Sequence, residues 1–203
     1  MFKRVFYWLL GIILLGFGIA LVANTGLGST AITSIALVLS NVLDMSFGSM
    51  TLIQNLIFVF IQILILKSNF PKRQYLQIVV SLLLGVAIDL WGQILPDFSQ
   101  QNYLVTWLIY FVGCLSIAIA TVFQLKADIV YNPAEGVVQA ISLSIKQPFS
   151  KIKTIVDTLI VLSAVVTSLV AFGSLVGVRE GTIISALTIG QMVGWIQKIG
   201  GEK

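Results

Sequence analysis

Six long apolar runs dominate the chain, at residues 5–23, 51–66, 76–95, 103–123, 154–176 and 182–196. Each is continuous, with none of the every-second-residue alternation that a transmembrane barrel strand carries. A helix needs roughly 20 apolar residues to cross a bilayer core, so these runs predict six transmembrane helices. Two further apolar runs, 31–43 and 134–145, have only 13 and 12 residues, and each follows a polar break, at 24–30 and 126–133. Runs this short predict half-helices that enter and leave the membrane on the same side. The expected fold is therefore an all-α polytopic membrane protein of six transmembrane helices plus two re-entrant or broken half-helices. A single membrane domain over residues 1–203 is expected, with no soluble appendage.

Composition strengthens this picture. The chain is 58% hydrophobic and 10% charged, whereas soluble domains carry about 25% charged residues. With six crossings and both termini on one face, that face receives Lys3, Arg4, Lys67, Lys72, Arg73, Lys146, Lys151, Lys153, Lys198 and Lys203, ten of the 12 basic residues. The positive-inside rule makes it the cytosolic face of a bacterial cytoplasmic membrane. Eight crossings would scatter Lys67, Lys72 and Arg73 to the outside, so the two short runs should not span. The first would dip in from outside and the second from inside. Lys3-Arg4 before an apolar run also has the charge pattern of a signal peptide. The length of that run, and its counterpart at 103–123, favour a retained helix.

The net charge of +4 sits at helix ends, which argues against a nucleic-acid partner. Histidine is absent and Cys114 is the single cysteine. No disulfide can form within the chain, and the commonest metal ligand and general base are missing. No metal, cofactor or enzymatic activity is expected. Ser29 with Asp89 would be the sole nucleophile–base candidate, and nothing in the sequence places them together.

The two halves share an order: long helix, polar break, short helix, polar turn, long helix, long helix. A shift of 102 residues pairs Gly11 with Gly113, Ser40 with Ser142, Phe47 with Phe149, Ile53 with Ile155 and Val59 with Val161, and later Gly85 falls opposite Gly190. Three crossings per half is an odd number. The halves, about 1–98 and 103–203, are therefore expected as inverted-topology repeats, an arrangement that places a substrate site at the midplane between broken helices.

Backbone in the breaks cannot face lipid, because each unsatisfied amide there costs several kcal/mol. Gly26 and Gly28 allow tight turning. Asn132 before Pro133 reads as the cap of the second short helix, and Ser29 or Thr30 as that of the first. Asn24 and Lys126 open the breaks. Two helix N-termini would then converge, each with free amide donors and a partial positive charge. Ordinary re-entrant loops that pack the bundle are the competing reading.

Ionisable groups inside a membrane call for a cavity or a partner. Asp89, deep in the run 76–95, fits a proton-coupling carboxylate or a structural hydrogen bond to a neighbouring helix. Glu135, in the first turn of the second short helix, fits helix capping or contact with substrate or proton. Lys126 and Asp128 could neutralise each other in the break, and Lys126 is the deep-lying cation candidate. Lys153 and Asp157 are spaced for an i,i+4 pair. Asn55 occupies the position equivalent to Asp157 in the first half, so the two could face one cavity. Gly190-Gln-Met-Val-Gly194 has the spacing of close helix packing within the chain.

Five motifs in order resemble the bacterial YczE/YyaS/YitT family of integral membrane proteins: Ala23-x-x-Gly26-x-Gly28, Gly85-Val-Ala-Ile-Asp89, Pro133-Ala-Glu135-Gly136, Lys153-x-x-x-Asp157, and Gly181-Thr182 with Ala186 and Gly190. Lysine and aspartate stand where the family has arginine and glutamate, and Ser29-Thr30 where its first break often has proline. The resemblance covers about residues 11–194 and implies the short branch, which lacks a cytosolic C-terminal domain, and a transport function.

The leading expectation is a small secondary transporter for a polar metabolite, zwitterionic or vitamin-like, coupled to protons through Asp89 or Glu135. Its partners would be the lipid bilayer and the small-molecule substrate, with a homodimer or a partner membrane subunit as further candidates. One alternative is the substrate-capturing subunit of an energy-coupling-factor importer, docking through Gly11, Gly16, Gly18, Ala20 and Ala23. The other is a non-transporting membrane scaffold.

Overall fold

In the computed structural model, residues 2–130 and 132–199 are described; Tyr131 of the second break and Lys203 of the basic face lie outside them. The order is α1 (Phe2–Asn24), α2 (Ser34–Leu43), α3 (Phe47–Leu66), two short 3-10 turns, α4 (Gln77–Ile94), α5 (Tyr103–Ala127), α6 (Pro133–Ile145), α7 (Phe149–Phe172) and α8 (Glu180–Ile199). The protein is an all-α polytopic membrane protein. Five spans are long and apolar enough to cross a bilayer: Lys3–Asn24, Phe47–Asn69, Lys72–Ile94, Tyr103–Ala127 and Phe149–Phe172. The sixth expected span, α8, has the length at 20 residues but is diluted by Thr182, Ser185, Gln191 and Gln197, and does not join those five. The two short runs form short helices, 10 residues in α2 and 13 in α6. Apolar side chains such as Phe60, Leu64, Leu108 and Val170 cover the outside of the bundle, as a lipid-facing surface requires.

Between lipid-immersed helices the hydrophobic effect offers little drive, so small residues that bring backbones close decide the packing. α1 is the centre of the bundle. A Cβ on Gly16 would lie 2.6 Å from that of Ala87 on α4, and one on Gly18 2.8 Å from the Gly113 carbonyl on α5. Ile12, Leu15, Ile19 and Val22 fill the seam with Leu84, Ile88 and Ile117. The small-residue stripe of α1, read above as a docking surface for a partner subunit, is thus consumed inside the chain. α3 seats on α4 where Gly48 meets Gly85, closely enough that a Cβ on Gly85 would come 2.8 Å from the Gly48 carbonyl. The short helices cross between the halves: α6 packs Ala134, Val137 and Val138 on Phe58 of α3, and α2 packs Val38 on Ala164 of α7. α7 and α8 form no packed pair among the described residues. Gly190 and Gly194 of α8 have open space where a Cβ would sit, so they are not the packing motif their spacing suggested.

Each break is tied to the start of a helix from the other half. Gly26 has φ +69°, and its carbonyl accepts from Arg179 Nη1 at 3.1 Å. The Gly181 amide donates to the Leu27 carbonyl at 3.0 Å. Gly28, φ +99°, leaves no room for a side chain against Arg179 and Thr182. In the second break Asp128 is also left-handed, φ +46°, and its carbonyl accepts from Arg73, just before α4. Its carboxylate pairs with Arg4 at 3.0 Å. Gln62 of α3 donates to the Pro133 carbonyl at 3.2 Å and is hydrogen-bonded to Gln77. In both cases an arginine clamps the carbonyl of a left-handed residue that follows a long helix.

Candidate functional site

The gap between α7 and α8 opens a cavity of about 870 Å³ that reaches α1, α3, α5, α6 and the end of the first break. α8 starts beside Leu27, just past the end of α1, and packs along α5. The cavity extends from Thr30 and Thr182 down to Phe149, Lys153 and Val193, towards the end of the bundle where α1 begins and α5 ends. Its walls are largely apolar, with Leu15, Ile19, Leu84, Ile117, Val161 and Ile189 among them.

Among the described residues three charged side chains line it: Glu135, Lys153 and Asp157. Lys153 Nζ donates to both oxygens of Asp157, at 2.7 and 2.8 Å, within one turn of α7. Both side chains are mostly shielded, at 28% and 18% exposure. Shielding strengthens the attraction between the two charges relative to an exposed i,i+4 pair and raises the cost of desolvating them. Glu135 sits in the first turn of α6, where free amides and the helix dipole favour an anion. It lies within reach of the charges of both Lys153 and Asp157, and no hydrogen bond to its carboxylate forms among the described residues.

Asn132 caps α6, its Oδ1 accepting from the Ala134 amide at 3.2 Å, which matches the expected role. The first short helix is built differently. Its cap is Thr33, whose side chain caps nothing; Ser29 and Thr30 instead bring their hydroxyls to the Thr33 hydroxyl, each at 2.7 Å, and Thr30 also accepts from the Thr33 amide. The three-residue turn before Ser34 moves the cap past the pair that the sequence singled out. Asn55 of α3 is 3% exposed, lines the cavity, and its Nδ2 has no hydrogen-bond partner. A buried, unmatched donor is costly, by about 1–3 kcal/mol, and this one sits on a residue of the cavity wall.

Of the residues picked from sequence, Thr30, Asn55, Asn132, Glu135 and Asp157 line the cavity. Six do not. Asn24 Nδ2 reaches the Leu95 carbonyl at 3.2 Å and closes the end of α4. Gly26 and Gly28 serve the clamp, and Ser29 lies behind Thr33. Asp89 caps α3, accepting from Ser46 Oγ at 2.6 Å and the Gly48 amide at 2.7 Å. Lys126 is exposed in the last turn of α5, outside the lining. The residues missed are Thr33, Gln139, Thr182 and above all Lys153, which the i,i+4 spacing to Asp157 had already flagged.

The chain belongs to DUF6198, a family of unknown function. The family's profile matches residues 2–198. Among curated proteins the chain is similar to the uncharacterized protein YyaS of Bacillus subtilis (strain 168), with 24% identity over 180 residues covering 88% of either chain. This agrees with the resemblance read from the five motifs. No solved structure matches the chain.

Proposed function

We propose that the protein is a small secondary transporter that carries a polar, low-molecular-weight metabolite through this cavity by alternating access. Its halves act as inverted repeats that exchange conformations. One observation carries the reading: the two helix pairs that such a repeat would make equivalent differ in packing. α3 is closed on α4 through Gly48 and Gly85, while α7 stands away from α8 and Gly190, the counterpart of Gly85, faces open space. The arginine clamps support the same symmetry, since Arg73–Asp128 and Arg179–Gly26 hold each break to the opposite half. Two broken helices meeting at one cavity is the arrangement expected of such transporters. Glu135 is the better candidate for proton coupling, because Asp89 is committed to α3. The consumed small-residue stripe of α1 removes the main support for a partner-dependent importer subunit.

The test begins with a thermal-shift screen of the purified protein against a metabolite panel, followed by uptake of the stabilising compound into proteoliposomes with and without a pH gradient. Gly190→Leu then fills the open space, so that α7 can no longer close on α8. It should leave the melting temperature unchanged or raise it, since leucine is the better helix former, and abolish flux. Undiminished flux in Gly190→Leu, or neither ligand nor flux in the wild type, counts against the reading.

A further inference from the structure

The cavity's charges and its orphan amide specify a ligand chemistry. Two carboxylates and one ammonium line it, and the ammonium is held by both oxygens of Asp157. The charge of Lys153 is therefore already balanced by Asp157, and among the described residues the lining contains no other cation. What is left unmatched is Glu135, an anion in a largely apolar, half-enclosed space, where an opposite charge is far more effective than in water. Phe58, one turn beyond Asn55 on α3, packs against Ala134 beside Glu135, so the unmatched carboxylate and the unmatched Asn55 amide belong to neighbouring parts of one wall. The first calls for a cation and the second for a hydrogen-bond acceptor.

We propose that the cavity takes a small organic monocation that also carries a hydrogen-bond acceptor, with Glu135 as its counter-ion and Asn55, its amide turned into the cavity, as donor to the acceptor. This rests on the reading of the cavity as the substrate site and narrows the metabolite to an amine or quaternary ammonium with an apolar body. A zwitterion is disfavoured, because its carboxylate would meet Asp157 and Glu135 with Lys153 already engaged. A proton and the cation then compete for one carboxylate. Each displaces the other, which makes the cavity suited to exchange of the two. The charged groups facing Glu135 in the lining are Lys153 and Asp157, both on α7; the lining residues of α1, α3, α5 and α8 are uncharged.

The probes are two sets that differ in charge on a common skeleton: tyramine, tyrosol and 4-hydroxyphenylacetate, and 5-aminopentanol, 1,5-pentanediol and 5-hydroxypentanoate. Binding is measured on the full chain in lipid nanodiscs by calorimetry. In at least one set the amine should bind tenfold or more tighter than the alcohol, and the carboxylate should not bind. Glu135→Gln should cost the amine at least tenfold and leave the alcohol unchanged. Asn55→Leu should remove the preference for tyramine over phenethylamine. Should Glu135→Gln not yield a monodisperse protein, the wild type gives the same answer: acidification should weaken amine binding and not alcohol binding. Preference for the carboxylate, equal binding of amine and alcohol in both sets, or no binding in either set overturns the proposal. Amine binding without flux in proteoliposomes overturns the transporter reading and leaves this one standing, whereas flux of an anionic metabolite does the reverse.

Discussion

Asp89 is the residue for which the membrane setting and the geometry give opposite expectations, and its substitution separates them. A carboxylate inside a membrane helix reads by default as functional. Here both oxygens are used: one accepts from Ser46 Oγ at 2.6 Å and the other from the Gly48 amide at 2.7 Å. Ser46 is also the cap of α3, accepting from the Ser49 amide at 3.1 Å. Asp89 thus completes the N-terminus of α3, where its charge also meets the positive end of the helix dipole. A hydrogen bond to a charged group contributes about 1.5–3 kcal/mol net. The two together, discounted for partial exposure, place Asp89→Ala about 2–4 kcal/mol below the wild type. Asp89→Asn keeps an acceptor and loses the charge, so about half that loss is expected. Unfolding by titration with a denaturing detergent, followed by tryptophan fluorescence, measures the difference. Hydrogen exchange should show the amides of residues 47–50 losing protection first. Wild-type stability and exchange in Asp89→Ala, combined with loss of ligand binding or of the pH dependence of flux, would refute the capping account and restore Asp89 as the coupling carboxylate.

Other substitutions probe the clamp, the glycine seam and the cavity charges. Gly48→Ala drives a Cβ into the Gly85 carbonyl, in a contact between backbones that cannot yield, and should cost about 3 kcal/mol or more in the same unfolding assay. Lys153→Met leaves Asp157 without its counter-charge and should lower the melting temperature, while Lys153→Met with Asp157→Leu should recover it, because the matched pair is removed together. Arg179→Ala should speed hydrogen exchange at residues 26–28 and leave 47–50 unchanged, since its guanidinium holds the Gly26 carbonyl. The Ser99 amide, donating to Asp97 at 2.8 Å, and secondarily the Ser99 hydroxyl hold the Asp97 carboxyl below its ordinary 3.8. Such a group adds stability above the ordinary carboxylate range and loses it as pH falls through its own lowered midpoint. A carbon-13 titration of Asp97 should read that midpoint, and Ser99→Pro, which lacks the amide hydrogen, should bring it back towards the ordinary value.

What could be read from the chain follows from how local each signal is. Run lengths fixed the long helices and the two short ones, because bilayer thickness acts on a continuous stretch of residues. Asn132-Pro133 announced its cap for the same reason: the interaction spans two residues. Thr33 escaped notice because the cap position depends on where a turn happens to close, and Ser29-Thr30 offered an equally good local solution. Asp89 misled because the partner that uses it, the Ser46–Gly48 corner, lies over 40 residues away on a different helix. Lys153 is the more instructive miss. Its pairing with Asp157 was visible as spacing, but the same spacing is common on exposed helix faces, and only the separation of α7 from α8 turns this one into a cavity wall. That separation cannot be read from α7 and α8 themselves. It is visible by contrast with α3 and α4, where glycine opposes glycine and the helices touch. Gly190 is a glycine like Gly85, yet it opposes empty space. If the two halves exchange states, that unused glycine is the contact surface of the other conformation, and a side chain placed there should block the cycle and spare the fold.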